Sequence, residues 1–578
     1  MLLLTKSSIG QQTNAIKGRI TSQSTGEPLP YAVLYNISTG KGTISNLDGH
    51  FLLESTNKGD TIRITFIGFK DQWIRVEESK FYYEINLEQN VNMLSEVTVT
   101  PDENTYLYDL LIKCKKPYSN NTRRAKALYE LKSYVNDRQI ELVEGYYNAE
   151  INGYKLSKIH LKTGRVALQQ YYDHFYASLE SSKAILMLNI FKHNDYFPIT
   201  PLELNKSKLR KGYYLTLNQK YTDASTDSVY VINYAPKDTS GKYFEGQIWI
   251  NTTRELILKI TLNCKGAKPH PFIPLFPEDE IRSVNFNITE SFVPDKEEIL
   301  FNHIDFSYAL EYYSKSVPAK ERLSSITTNA VLHVYDYHTS FFQPLFDFHE
   351  DATGDYRKIS AMPYNDFFWN NHNEYSLNAN SKTNHQFYFD SLSVNNKSLF
   401  KSNPVFKKGL FEHAYRSWSP TRVTFREIIA DTSHKVVSSQ MATEKFNLNL
   451  DLFLDINQYS DSTQLITSII FDPYESYYHL PIDLKTHCFV NMYFDYCEIQ
   501  RIELHNKVRS EIHNLEAIKD SYANFLREYE AKNWKFLQEV QRGTNRESML
   551  RYNAKIVDKL GINNIELFQP YPTEQNRR

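Results

Sequence analysis

Apolar and polar residues alternate with a period of two through much of the first 340 residues. Ile62, Ile64 and Phe66 alternate with Arg63 and Thr65, and Tyr213, Leu215 and Leu217 with Thr216 and Asn218. Leu256, Leu258, Ile260 and Leu262 point one way, Lys259 and Thr261 the other. Val284, Phe286 and Ile288 alternate with Asn285, Asn287 and Thr289, and Ile304, Phe306, Tyr308 and Leu310 with Asp305, Ser307 and Glu311. Turns such as Ser240-Gly241 and Asn251-Thr252 separate these runs, so the pattern predicts an antiparallel sheet with one buried face over residues 102–340. A short helix or linker over 103–116 leads in, and a helix at roughly 178–191, bearing Ile185, Leu186, Leu188 and Ile190, is expected to cover the sheet. Left half open, such a sheet would instead hold an apolar ligand. Four prolines between Pro269 and Pro277 predict a rigid loop whose Phe272, Ile273 and Phe276 pack on the domain's own core or meet a partner.

From Pro481 the period becomes helical. Ile512, Leu515, Ile518, Tyr522, Phe525, Tyr529, Phe536 and Val540 form an amphipathic stripe on a long helix that Gly543 stops. Thr544 and Glu547 read as a capping box for a last helix carrying Met549, Leu550, Ile556, Val557 and Leu560 and ending at Gly561. Residues 341–482 are aromatic and polar with little periodicity, and read as an irregular β or coil extension.

The start of the chain carries a more specific series. Ile16-Lys17-Gly18-Arg19-Ile20-Thr21 is followed by Thr25-Gly26-Glu27-Pro28-Leu29-Pro30-Tyr31-Ala32, then by Gly42 to Phe51 with its Asp48-Gly49 turn. Ile62 to Phe69 continues it, and Leu94-Ser95-Glu96-Val97-Thr98-Val99-Thr100-Pro101 closes it. Asp-Gly between apolar runs predicts a tight hairpin. In order and spacing this segment, residues 16–101, resembles the carboxypeptidase regulatory-like domain, a small transthyretin-like β-sandwich common in cell-envelope proteins of Bacteroidetes-type bacteria. The resemblance implies an accessory domain without catalytic residues of its own. The expected fold is thus mainly β with an α-helical C-terminus: a sandwich at 16–101, a half-barrel-like antiparallel domain at 102–340, an extension at 341–482, a helical hairpin or small bundle at 483–563, and a tail at 564–578. The hairpin at Gly246–Leu258 resembles one in half-barrel envelope proteins that shield lipid or lipoprotein acyl chains.

Composition adds bounds. The formal net charge of -2 over 578 residues gives no electrostatic reason to bind nucleic acid. Aromatics reach 14%, in keeping with sheets. Cys114, Cys264, Cys488 and Cys497 lack metal-finger spacing. No apolar run approaches the ~20 residues that span a bilayer. Residues 1–15 read as the remnant of a secretory signal or as a disordered start, and with the first domain they give a periplasmic or outer-membrane, periplasmic-face expectation.

Two patterns bear on chemistry. His513-Asn514-Leu515-Glu516 matches a zinc-carboxypeptidase His-x-x-Glu pair, but lacks its companion motifs. On a helix running from His487 to His505, the side chains of His487, Asp495, Glu498 and His505 fall within ~80° of one face. Asp495 with Glu498, reached by His487 or Arg501, is the candidate divalent-metal site; the alternative is a polar network with a Glu498–Arg501 ion pair. The favoured reading is a non-enzymatic envelope binding or scaffold protein, with an envelope protein or lipid as partner. The alternatives are a metal-dependent hydrolase using the C-terminal helix and a lipid or lipoprotein carrier through the middle sheet.

Overall fold

The computed structural model describes residues 15–46, 48–53, 56–78, 80–90, 105–115, 121–168, 181–223, 226–274, 276–295, 298–315, 319–320, 322–346, 355–360, 362–363, 365–372, 416–423, 446–458, 463–471, 476–478 and 482–571. The expected chain start, the closing run at Leu94 to Pro101 and most of the 341–482 extension lie outside them. The chain divides into two compact units: Met1–Ile159, Leu168–Thr339 and Asp366–Asp390 in the first, and His160–Ala167, Ser340–Asn365 and Ser391–Arg578 in the second.

The first unit opens with a two-sheet sandwich. Strands β1 (Ile16–Ser22), β4 (His50–Leu53) and β7 (Tyr82–Leu87) form one sheet in the order β4-β1-β7; β2 (Val33–Asn36), β3 (Gly42–Ile44), β5 (Thr61–Thr65) and β6 (Gln72–Arg75) form the other in the order β3-β2-β5-β6. Alternation buries Ile20, Leu34, Ile62, Ile64, Ile85 and Leu87 between them. The Asp48-Gly49 turn is a correction to the expected hairpin: it passes the chain from β3 in one sheet to β4 in the other. Gly49 adopts φ +78, and a Cβ there would stand 2.4 Å from the Ile20 carbonyl oxygen, so the position admits glycine alone.

After α1 (Thr105–Lys113), ten strands make a sheet in the order β10-β9-β8-β17-β16-β15-β14-β13-β12-β11. They are β8 (Arg123–Val135), β9 (Arg138–Asn152), β10 (Lys155–Leu168), β11 (Tyr213–Thr222), β12 (Ser228–Pro236), β13 (Gly246–Asn251), β14 (Leu256–Cys264), β15 (Glu280–Asp295), β16 (Glu298–Tyr313) and β17 (Leu323–Tyr335). Sequential hairpins build it, apart from the β17–β8 pairing that joins its two halves. The helix expected at 178–191 is described as α2 (Ser181–Met187), and α3 (Lys206–Gly212) leads into β11. The apolar face holds Ile260, Leu262, Phe286, Ile288, Phe306 and Tyr308. Phe272 of the proline-rich loop is buried there, its ring 4.2 Å from that of Tyr308, whereas Ile273 is exposed.

The expectation of a single buried face holds for only part of the sheet. Val284 to Ile288 keep a strict buried–exposed alternation, but Ala125 to Tyr129 and Ile140 to Tyr147 are buried without a break. His303, Val331, His333 and Tyr335, on the polar side of the register, are buried too. At His303 the cover comes from the sandwich, whose Tyr31 ring lies 4.5 Å away.

The second unit packs two small sheets and helices around one core. Its described helices and strands are α4 (Asp355–Ser360), β18 (Arg416–Ser417), β19 (Phe446–Asn447), β20 (Leu450–Gln458), β21 (Thr463–Phe471) and β22 (Tyr477–Tyr478), then four helices. Before those, α5 (Asp366–Asn371) belongs to the first unit, with Phe368 and Trp369 edge-on to Tyr146 at 5.1 and 5.4 Å. The four are α6 (Leu484–Ser510), α7 (Leu515–Val540), α8 (Arg546–Leu560) and α9 (Asn564–Phe568). Helix α6 is buried on every side from Cys488 to Gln500, as a central helix must be. Tyr522 and Tyr529 of α7 donate to the Leu452 and Leu450 carbonyls of β20 at 2.6 and 2.7 Å. The expected Thr544–Glu547 box is corrected by one position: Asn545 is the N-cap, its side chain accepting from Ser548 N at 3.2 Å. The Thr544 hydroxyl is already used, donating to the Gln541 carbonyl at 2.7 Å across the preceding 3-10 turn.

Phe536 is fully buried and stacks on Tyr496 at 4.9 Å, with Tyr552 edge-on at 4.7 Å. Phe536→Ala should lower the stability of this unit by about 3–5 kcal/mol, read from the shift in its urea transition. Asn545→Ala should cost about 1 kcal/mol in the same assay, through loss of the cap.

Candidate functional site

The carboxylates singled out on α6 are each held by protein partners. Asp495 Oδ1 accepts from Trp418 Nε1 at 2.8 Å, and Oδ2 accepts from Arg422 Nη1 and Asn564 Nδ2, each at 2.7 Å. Glu498 forms a two-pronged pair with Arg501, at 2.8 and 2.7 Å. His487 stacks on Phe568 with ring centres 6.3 Å apart, and His505 Nδ1 lies 3.0 Å from Thr467 Oγ1. These four residues therefore share a helix but not a site. Among the described residues no three His, Cys, Asp or Glu side chains gather as a metal-binding group. His513 sits in the turn before α7, and Glu516 pairs with Lys519 at 2.9 Å.

A different constellation lies in the first unit, where the sandwich meets the polar face of the ten-stranded sheet. They enclose a cavity of about 570 Å³. Its sheet wall is set by register: β14 presents Lys259, β15 Thr289 and Ser291, β16 His303 and Asp305, and β17 His333. The sandwich wall comes from Tyr31 and from Phe66 to Phe69. Tyr31 takes φ +64, in the left-handed region that costs a residue with a Cβ about 1–2 kcal/mol, and its amide is held by the Ser45 carbonyl at 2.9 Å.

Two polar groups on the sheet wall of this cavity lack partners among the described residues. Both ring nitrogens of His303 are buried with no hydrogen bond, although its side chain is only 6% exposed. The Lys259 ammonium makes no hydrogen bond or ion pair among the described residues. It lies instead over the rings of Trp249 and Phe66, 4.8 and 5.3 Å from their centres. Burial pushes Lys259 down to about 8, with Asp305 pulling the other way. Burial likewise holds His303 well below the usual imidazole range, helped by His333 and Lys259, and takes His333 down to about 4. Both imidazoles are thus neutral at physiological pH.

The acidic side chains around Lys259 are engaged elsewhere. Asp305 accepts from Ser307 Oγ at 2.6 Å and Asn329 Nδ2 at 2.9 Å, and burial raises its pKa. Asp71 pairs with Arg63 at 2.6 Å, and Asp336 with Lys126 at 3.2 Å. The Tyr31 hydroxyl faces Asp305 and Asn329 without a well-formed hydrogen bond to either, and burial raises its pKa well above normal. Chemically, the cavity offers one unpaired cation, Lys259, and the unpartnered neutral imidazole of His303, in a lining that also carries the Arg63–Asp71 pair.

On the opposite face of the sheet, the apolar space around Phe286 is filled from within. Phe197 lies 5.6 Å from Phe286, and Phe244 6.1 Å from the same ring.

Sequence reading placed Lys259 and Asp305 on the polar face but treated that face as solvated, so the site went unseen. Nothing in alternation alone reports that a second domain covers it.

No curated protein matches the chain. Among solved structures, it is similar to a LolA superfamily protein from Nitrosomonas europaea at 12% identity, covering 39% of this chain and 93% of that one, with a TM-score of 0.14. It is also similar to the MucA/MucB complex of Pseudomonas aeruginosa at 10% identity, covering 40% and 94%, with a TM-score of 0.15. Likenesses this slight carry no argument. No described helix is long and apolar enough to cross a membrane. Residues 16–99 match the CarboxypepD_reg-like domain family, so the chain carries a domain of that family at its N-terminal end.

Proposed function

We propose that the chain is a non-enzymatic cell-envelope binding protein whose ligand is an amphipathic organic anion, a carboxylate or phosphate joined to an apolar body. The observation that carries this reading is the unpartnered Lys259 ammonium beside the unpartnered His303 imidazole in a cavity of about 570 Å³. A buried cation without a counterion is costly, and an anionic head group would supply one. The His303 N–H would add a neutral donor, and Phe66, Phe69, Leu258, Phe292 and Val293 would pack the body. The CarboxypepD_reg-like domain, which contributes one wall of the cavity, supports a binding role. Its resemblance to envelope modules supports the periplasm, or the periplasmic face of the outer membrane, as the setting.

Anilinonaphthalene sulfonate, an anionic aromatic amphiphile that fluoresces when sheltered from water, is a direct probe. It should bind the full chain saturably at pH 7, and Lys259→Met should weaken it roughly 10- to 100-fold, the loss of one charge-assisted hydrogen bond. Binding should also weaken as pH rises from 7 to 10. Lys259, at about 8 in the free protein, loses its charge over that range, while His303 and His333 are already neutral and Tyr31 stays protonated. Equal affinity for the wild type and Lys259→Met would overturn the reading.

A further inference from the structure

A second cavity, of about 260 Å³, lies on the other face of the same sheet, beneath α2. It is larger than the roughly 150 Å³ apolar cavity that accommodates a benzene ring. Glu290 of β15 lines it from the apolar side of the register, between Ile288 and Phe292. Its side chain is 4% exposed, and it makes no hydrogen bond or ion pair among the described residues. Burial raises its pKa to about 8. Lys115, just past α1, also lines the cavity and donates to the Leu204 carbonyl, which leaves two of its three N–H bonds uncommitted. Burial lowers it to about 8, and its electrostatic counterpart is Glu203 rather than Glu290. The carboxyl and the ammonium are thus separate features of one small space, too weakly coupled to neutralise each other. Ile185, Leu188 and Phe191 supply apolar lining.

We propose that this cavity is a binding site for a small zwitterion with an apolar body, of the size of an apolar dipeptide, its ammonium on Glu290 and its carboxylate on Lys115. The two protein charges have the signs such a ligand needs, and a cavity of about 260 Å³ with apolar lining has room for an apolar body between charged ends. A simple cation would meet Lys115 and Lys155, and a simple anion would leave the buried Glu290 carboxyl without a partner. Lys155 and Tyr154 also line the space. The Tyr154 hydroxyl is occupied, accepting from the Ile257 amide at 2.9 Å. This site shares no lining residue with the one at Lys259.

Calorimetry on the full chain with Ala-Leu, its N-acetyl form and its C-terminal amide tests this. Ala-Leu should bind, and each blocked form should bind at least tenfold more weakly. Binding at pH 7 should release close to one proton, because Glu290 is protonated in the free protein and ionised against an ammonium. Glu290→Gln, which keeps the shape and removes the charge, should weaken Ala-Leu tenfold or more and abolish the proton release. Leu188→Trp, which fills the space and leaves both charges, should block binding while anilinonaphthalene sulfonate still binds. No binding of Ala-Leu to the wild type, or equal binding by Glu290→Gln, would overturn the proposal.

Discussion

Desolvation of ionisable side chains on a sheet covered from both sides is the constraint around which the chemistry of this molecule is arranged. An antiparallel sheet with one solvated face can place lysine, histidine and aspartate outward at no cost. Once the sandwich lies over that face at Tyr31 and Phe66, the same residues lose their water. Each must then pair, become neutral or wait for a partner. His333 becomes neutral, and Asp305 is satisfied by Ser307 and Asn329. Lys259 has only the faces of two aromatic rings.

The second unit shows what a completed solution looks like. Lys162 is fully buried, donates to Asp455, and also donates to the Phe342 and Ile456 carbonyls at 3.0 and 3.1 Å. Asp455 Oδ2 accepts from Asn365 Nδ2 at 2.6 Å. Asp495, with Trp418, Arg422 and Asn564 around it, is satisfied in the same way. Buried charges with every lone pair and proton engaged fix geometry, and breaking one partner is costly because the other stays behind uncompensated. The same accounting separates scaffold from site: Asp495 and Asp455 have nothing left to offer a ligand, whereas Lys259, His303 and Glu290 do.

Local pattern carried the architecture well where one physical rule governs. Period-two runs marked strands β11, β15 and β16, and β14 except at the bulge that puts Leu258 in the cavity with Lys259, and the stripe from Ile518 to Val540 marked α7, because a single buried face selects the residues. The Asp48-Gly49 turn was legible as a turn, but whether it joins strands of one sheet or passes between two depends on partners far along the chain. Helix α6 hid its surroundings for a related reason. Asp495 and Glu498 share a face as helical spacing requires, yet what lies opposite Asp495, Trp418 and Arg422, comes from a stretch with no periodicity at all. Glu290 was the one site residue with a readable signal. It continues the apolar series Val284, Phe286, Ile288 at the next step, where alternation calls for a hydrophobe, and a carboxyl in such a place is either paired or functional.

The CarboxypepD_reg-like domain acquires a physical role from this arrangement. To the cavity at Lys259 it brings the strained Tyr31, the Phe66 ring and the Arg63–Asp71 pair. A wall of that kind strengthens every electrostatic contact behind it, since the attraction between an ammonium and an anion grows as the local dielectric falls. It also ties occupancy to docking of the domain. A ligand that touches both walls binds only the state in which sandwich and sheet are together, and therefore stabilises that state by RT ln(1 + [L]/Kd). An accessory domain with no chemistry of its own can in this way set both the affinity and the persistence of a complex.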